Sequence, residues 1–126
     1  MLQQLILVID DEEPVRGAVT DILELEGLAV LSAPDGQTGI DLYRARQANI
    51  DLIVLDLSMP GLTGEETFRE LRQINPQARI MLSSGYSHDE VASRFAGQRE
   101  VAFIQKPYDA TQLVTEVKRQ LALPPM

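Results

Sequence analysis

The chain has 126 residues, of which 44% are hydrophobic and 24% charged, enough apolar material for one core and too much for a disordered chain. It has no cysteine and one histidine, His88, which excludes disulfides, thiolate metal sites, cysteine nucleophiles and any multi-histidine metal site within one chain. Eleven basic against nineteen acidic residues give a net charge of -8, the wrong sign for gripping a nucleic acid through its phosphates, so direct nucleic-acid binding is not expected.

Residues 5–9 form the first of five short apolar runs without polar alternation, the signature of strands buried on both faces. This run ends in Asp10-Asp11-Glu12, after which Val15, Val19, Ile22 and Leu25 fall at helical spacing and Gly27 suits a helix stop. Residues 28–31 are the second strand, and Pro34-Asp35-Gly36 supplies a turn and an N-cap for a helix over 37–47. The third strand centres on 53–55 and ends at Asp56; Phe68, Leu71 and Ile74 stripe the helix behind it, which Asn75-Pro76 closes. Residues 80–82 are the fourth strand, followed by Ser83-Ser84-Gly85 and a weakly patterned helix over about 87–95. Residues 101–104 are the fifth, followed by Lys106-Pro107 and a last helix striped by Leu113, Val117 and Leu121. Only Pro124-Pro125 reads as a frayed end, and no repeat, linker or low-complexity tract appears.

The alternation predicts an α/β fold: a doubly wound parallel sheet with right-handed crossovers, two helices on one face and three on the other. In such a sheet ligands sit at the carboxyl ends of the strands. Four of the five strands end there on Asp10-Asp11, Asp56, Ser84 and Lys106. Each has an ordinary explanation alone: an acidic first helical turn, a loop carboxylate, a turn serine, a solvated lysine. Together they place three acids, a hydroxyl and an ammonium on one edge. Two like charges about 4 Å apart repel by roughly 4 kcal/mol at an effective dielectric near 20, so the cluster implies a hard divalent cation. With so few carboxylates, Mg²⁺ that keeps several waters fits better than Ca²⁺.

In order and spacing, Asp10-Asp11-Glu12, Leu55-Asp56-Leu57-Ser58-Met59-Pro60-Gly61, Ser84-Gly85 and Lys106-Pro107 resemble the receiver domain of two-component response regulators across nearly the whole chain. The resemblance implies a five-stranded, flavodoxin-like (βα)5 sheet of order 2-1-3-4-5, which the residues by themselves do not determine. It implies that Asp56 accepts a phosphoryl group from a phosphohistidine on a sensor histidine kinase or a histidine phosphotransfer domain. Mg²⁺ would then be held by Asp11, Asp56 and the backbone carbonyl of Ser58, with Asp10 acting through water, and Lys106 would pair with Asp56. Ser84 and Phe103 match the switch hydroxyl and switch aromatic, with the fourth helix, fifth strand and fifth helix as the output face. The Lys106-Pro107 bond matches one the family keeps cis. Ser58 and Tyr86 stand at the variable positions that set the phosphorylated lifetime, and His88 is assigned no role. The wording around Tyr86 and Phe103 is similar to receivers of hybrid sensor kinases.

The remaining expectations are coarser. The start Met1-Leu2-Gln3-Gln4 lacks the basic flank and apolar stretch of a signal peptide, and no run is long enough for a bilayer span. We therefore expect a cytoplasmic single domain over 1–126, stand-alone or excised, that is a signalling module and not an enzyme. Glu90, Arg94, Asp109, Glu116 and Arg119 would support either a weak or phosphorylation-dependent homodimer or simply a soluble face. Two other functions compete. A haloacid-dehalogenase-like phosphatase needs an aspartate two residues after the nucleophile, where Ser58 stands. A scaffold that never takes up phosphate would have no reason to gather repelling acids. Gly85-Tyr86-Ser87-His88-Asp89 lacks the closing glycine of a serine-hydrolase elbow, and no phosphate-cradling glycine loop occurs.

Overall fold

A computed structural model of the chain describes residues 3–59, 61–98 and 101–124; Met1, Leu2, Pro60 and Pro125, named above, lie outside them. Five strands alternate with five helices: β1 (Leu5–Ile9), α1 (Glu13–Leu25), β2 (Ala29–Ala33), α2 (Gly36–Arg46), β3 (Ile50–Asp56), α3 (Gly64–Ile74), β4 (Ile80–Ser84), α4 (His88–Arg94), β5 (Ala102–Gln105) and α5 (Ala110–Ala122). All pairings are parallel, and the order is β2-β1-β3-β4-β5, the flavodoxin-like arrangement. Chain direction reverses its lateral progress at β1, so the carboxyl ends of β1 and β3 flank the crevice that this topology opens.

The sheet's two faces bury separate layers, because each crossover places its helix on one side. Val19 and Leu23 of α1 pack with Leu113 and Val117 of α5 against Ile6, Val8 and Val54. On the other face, side chains of α2, α3 and α4, among them Ile40, Tyr43, Phe68, Leu71 and Val91, cover Leu7, Ile9, Ile53 and Leu82. The division into two and three helices is as expected. The α1 stripe is not: Leu25 is 85% exposed, and Leu23, with no exposure, takes the inward place. Spacing alone did not separate them: two residues apart, they lie roughly 200° from each other around the axis, on opposite flanks of the Val15, Val19 and Ile22 stripe, and the sheet takes the Leu23 flank.

Strand limits also shift for local reasons. β2 begins one residue later than its apolar run and continues through the exposed Ser32, as an edge strand with one wet side can. β3 starts at Ile50, ahead of its apolar centre, because Asp51 Oδ2 accepts the Leu5 N–H at 2.8 Å and so serves the neighbouring strand. Side chains cap four of the helices: Asp35 accepts from Thr38 N at 2.7 Å, Ser87 from Glu90 N at 3.2 Å, and Thr63/Glu66 and Asp109/Gln112 form full capping boxes. Gly27, at φ +81°, follows α1.

Gly64 matters for closeness, not for freedom of φ, and Gly17 makes the contrast. A Cβ on Gly64, at the start of α3, would lie 2.4 Å from Leu57 Cα and 2.9 Å from Asp56 O, whereas one on Gly17, within α1, would meet nothing within 4 Å. Gly64→Ala is therefore expected to cost about 1–3 kcal/mol of stability, since backbone must move to admit it. Gly17→Ala should gain about 0.4–1 kcal/mol by restricting the unfolded chain. Urea unfolding of both variants checks the pair of opposite signs.

Candidate functional site

The crevice at the carboxyl ends of β1, β3, β4 and β5 gathers the residues expected there. Asp56, the last residue of β3, and Asp10, just past β1, are 1% and 4% exposed, while Asp11 is half-buried. One carboxylate oxygen from each of Asp10, Asp11 and Asp56 lies within 4.8 Å of the others. Lys106, following β5, places Nζ 3.5 Å from Asp10 Oδ2 and 3.5 Å from Asp56 Oδ1. The Lys106-Pro107 bond is cis, as the resemblance implied.

Backbone groups fix the carboxylates before any ligand arrives. Ser58 N–H donates to Asp56 Oδ1 at 3.1 Å, and Glu12 N–H donates to Asp10 Oδ1 at 2.9 Å. The second contact ties down the chain where α1 begins, and α1 alone among these helices lacks a side-chain cap. Arg16, which the sequence did not single out, donates from Nη1 to the Asp10 carbonyl at 2.7 Å, holding the β1–α1 turn from the first turn of the helix. A guanidinium reaching back six residues leaves no spacing signature.

Asp56 divides its work between two oxygens. Oδ1 is taken by Ser58 and Lys106, whereas Oδ2 is buried with no hydrogen-bond partner, as is Oδ1 of Asp11. Buried oxygens left in this way are costly unless something completes them. Burial pushes the Asp56 carboxyl up to about 6; the Ser58 N–H and the Lys106 ammonium oppose the rise, and the Asp10 charge adds to it. Burial works to depress Lys106, but Asp56 and Asp10 outweigh it and hold the ammonium above its ordinary value. One ammonium thus serves Asp10 and Asp56 in a cluster of three carboxylates, of which Asp11 and Asp56 each keep a free oxygen. An all-oxygen donor set of this kind, with unpartnered buried atoms, fits a hard divalent cation.

The residues expected to transmit a signal lie alongside. Ser84 is buried at the end of β4 and its Oγ accepts the Tyr86 N–H at 3.0 Å, while its carbonyl accepts Lys106 N–H at 2.7 Å. Phe103, on β5, is half-buried, and His88, at the start of α4, meets its ring edge-on at 4.8 Å. Tyr86 carries the Arg94 guanidinium over its ring at 4.4 Å, and Arg94 also bonds Glu65 of α3 at 2.6 Å. Much of the charge expected on the α4–β5–α5 face is spent within the chain: Arg94 on Glu65, Arg119 on Glu116, and Asp109 on the α5 cap. Ser58 meets Asp56 through its N–H, and that is the contact the structure shows for it.

Residues 6–118 match the family model described as response regulator receiver domain. Sensor kinase CckA of Brucella abortus is 30% identical over 116 residues, covering 92% of this chain and 12% of that kinase. Transcriptional regulatory protein ResD of Bacillus subtilis is 37% identical over 117 residues, covering 92% of this chain and 47% of the regulator. The chain therefore spans a small part of the kinase and about half the length of the regulator. Among solved structures, the receiver domain of the hybrid histidine kinase CckA is 32% identical with a TM-score of 0.78, covering 93% of this chain and 98% of that one.

The raised Asp56 carboxyl has a sign that stability measurements can read. Its ordinary value is 3.8 and its native value about 6, so the folded state retains a proton that the unfolded state has lost. Stability is then forfeited as pH rises through that window, by about 3 kcal/mol once both states are ionised. Calorimetry without divalent cations should find Asp56→Asn melting several degrees above the parent at pH 8, the gap narrowing toward pH 4.

Proposed function

Because the chain belongs to the response regulator receiver domain family, we propose that it is the phosphoacceptor of a two-component signalling pathway, with Asp56 as the residue phosphorylated. The observation that carries this reading is the buried, unpartnered Oδ2 of Asp56 beside an Oδ1 already held by Ser58 and Lys106. Oδ2 is the free nucleophile. It forms a bond to the phosphorus of a phosphohistidine on a sensor histidine kinase or a histidine phosphotransfer domain, and the N–P electron pair returns to the donor imidazole. The product is an acyl phosphate on Asp56. Such transfer depends on in-line positioning and on neutralising the phosphoryl oxygens more than on a general base, so the lack of a nearby histidine is no obstacle.

Asp11 and Asp56, with the Ser58 carbonyl, would hold Mg²⁺ directly, and Asp10 would act through water. When bound, Mg²⁺ supplies positive charge against the phosphoryl oxygens and relieves the repulsion among the three carboxylates. Lys106, already within 3.5 Å of Asp56, contributes a second positive charge from the carboxyl end of β5. Ser84 would leave its Tyr86 contact to donate to the phosphoryl group, and Phe103 would turn into the space it vacates, altering the α4–β5–α5 face. An apolar groove of about 620 Å³, lined by Pro14, Val15, Ala18 and Ile22 of α1 and by Tyr108, runs up to Lys106 and suits a helical donor domain that must bring its histidine to Asp56.

This reading makes the chain a cytoplasmic signalling domain that assists only its own phosphorylation and dephosphorylation. No helix among the described residues is long and apolar enough to cross a membrane. The relatives divide between a sensor kinase and a transcriptional regulator, so the acceptor chemistry is the common element and the output differs among them.

Incubation with acetyl phosphate and Mg²⁺ should add one phosphoryl group by intact mass, labile to hydroxylamine and absent from Asp56→Asn and from an EDTA control. Mg²⁺ alone should raise the melting temperature, and Asp11→Ala should blunt that rise. Tyr86 stands at the edge of the site, so Tyr86→Ala is expected to admit water and shorten the phosphorylated lifetime. An unchanged or longer lifetime would remove Tyr86 from that role.

A further inference from the structure

Phe103, half-buried against the core, meets at its surface side a residue that the acceptor chemistry does not use. The His88 and Phe103 rings meet at 4.8 Å between centroids with 88° between planes, an edge-to-face pair of the kind that favours the state in which it forms. The pair stands as a wall between two depressions of about 700 and 390 Å³, one toward α5 and the other toward α4, and both residues line both. His88 is no free loop residue: it opens α4, whose N-cap Ser87 accepts Glu90 N–H at 3.2 Å. At its far end α4 is tied to α3 through Arg94 and Glu65, and back to the β4–α4 loop through Arg94 over Tyr86. The His88 backbone is thereby held, and an inward turn of Phe103 breaks the pair unless the imidazole or the helix follows it. A contact present in one of two arrangements shifts their equilibrium by its own differential energy.

We propose that His88 is a positioning residue for the switch: by holding Phe103 outward it favours the unphosphorylated arrangement and lowers the affinity of the Asp56 site for a phosphoryl group. This inference rests on the roles given above to Asp56, Ser84 and Phe103. His88 touches none of the reacting atoms and acts through Phe103 alone.

The test titrates Mg²⁺ and beryllofluoride, a phosphoryl mimic, into the whole chain and follows the amide NMR signals of Ser84 and Gly85. The proteins are the parent, His88→Ala and His88→Phe, and the first two again with Phe103→Leu. Because His88 is exposed, its replacement leaves the core intact. His88→Ala should bind about two- to tenfold more tightly, from the span of energies that such aromatic pairs contribute. His88→Phe, which can restore the edge contact, should match the parent, and in the Phe103→Leu background His88→Ala should change nothing. If the parent responds and His88→Ala binds equally well, or gains as much when Phe103 is leucine, the inference about His88 falls alone. If the parent does not respond at all, the assignment of Asp56 falls and takes the inference with it.

Discussion

The cost of keeping Asp56 and Asp10 out of water, with a single ammonium to answer three carboxylates, is the constraint around which the molecule is arranged. Burial raises the Asp56 carboxyl, and Lys106 relieves it only in part. A pocket in that condition has an appetite for positive charge, and a site already pre-oriented by backbone N–H groups needs little rearrangement when the charge arrives. The same tension gives the site its sensitivity. A phosphoryl group on Asp56, as proposed, would change the local charge where Lys106, the Ser84 loop and the end of β3 meet.

The fold supplies this arrangement cheaply because parallel strands deliver their carboxyl ends to one edge whatever the helices between them contain. What each strand must add is one residue past its apolar run. Asp10, Asp56, Ser84 and Lys106 are those residues, and the inter-strand bonds Leu57 N–H to Ser83 O and Lys106 N–H to Ser84 O lock their relative heights at 3.0 and 2.7 Å. Side-chain positions in the site are thus consequences of main-chain pairing, with Arg16 and the Asp10–Glu12 turn as local additions.

This explains which features could be read from the sequence. Strand-end residues are legible because a doubly buried strand is an unmistakable apolar run and the next polar residue marks its end; the acid cluster and Lys106 follow directly. The lateral strand order was not legible from alternation, since any order of five parallel strands has the same linear pattern, and it came from the family resemblance. Leu25 misled because a stripe through Val15, Val19 and Ile22 admits either Leu23 or Leu25 on its two flanks, and only packing against the sheet chooses between them. Asp51 and Arg16 were missed because each serves the main chain of a distant or earlier turn. His88 was set aside because a lone exposed histidine says nothing of which ring it faces; its partner lies fifteen positions away on another element, and only the docking of α4 on β5 brings the two together.

The glycine contacts divide the surroundings of Asp56 into two mechanical regimes. At Gly64 the start of α3 rests directly on Leu57 Cα and the Asp56 carbonyl, whereas at Gly36 the start of α2 rests on the side chains of Thr67 and Leu62. Backbone seated on backbone is stiff, as a bearing is. On the other flank α4 has seven residues and is held through side chains: Val91 and the following Phe95 in the core, the latter edge-on to Phe68 at 4.9 Å, with Arg94 and the His88 ring at the surface. Strain generated at the end of β3 therefore meets main chain on the α3 side and side-chain contacts on the α4 side. A displacement begun at Asp56 would on this account be deflected toward α4 and β5, where side chains can give by rotating and main chain does not press on main chain.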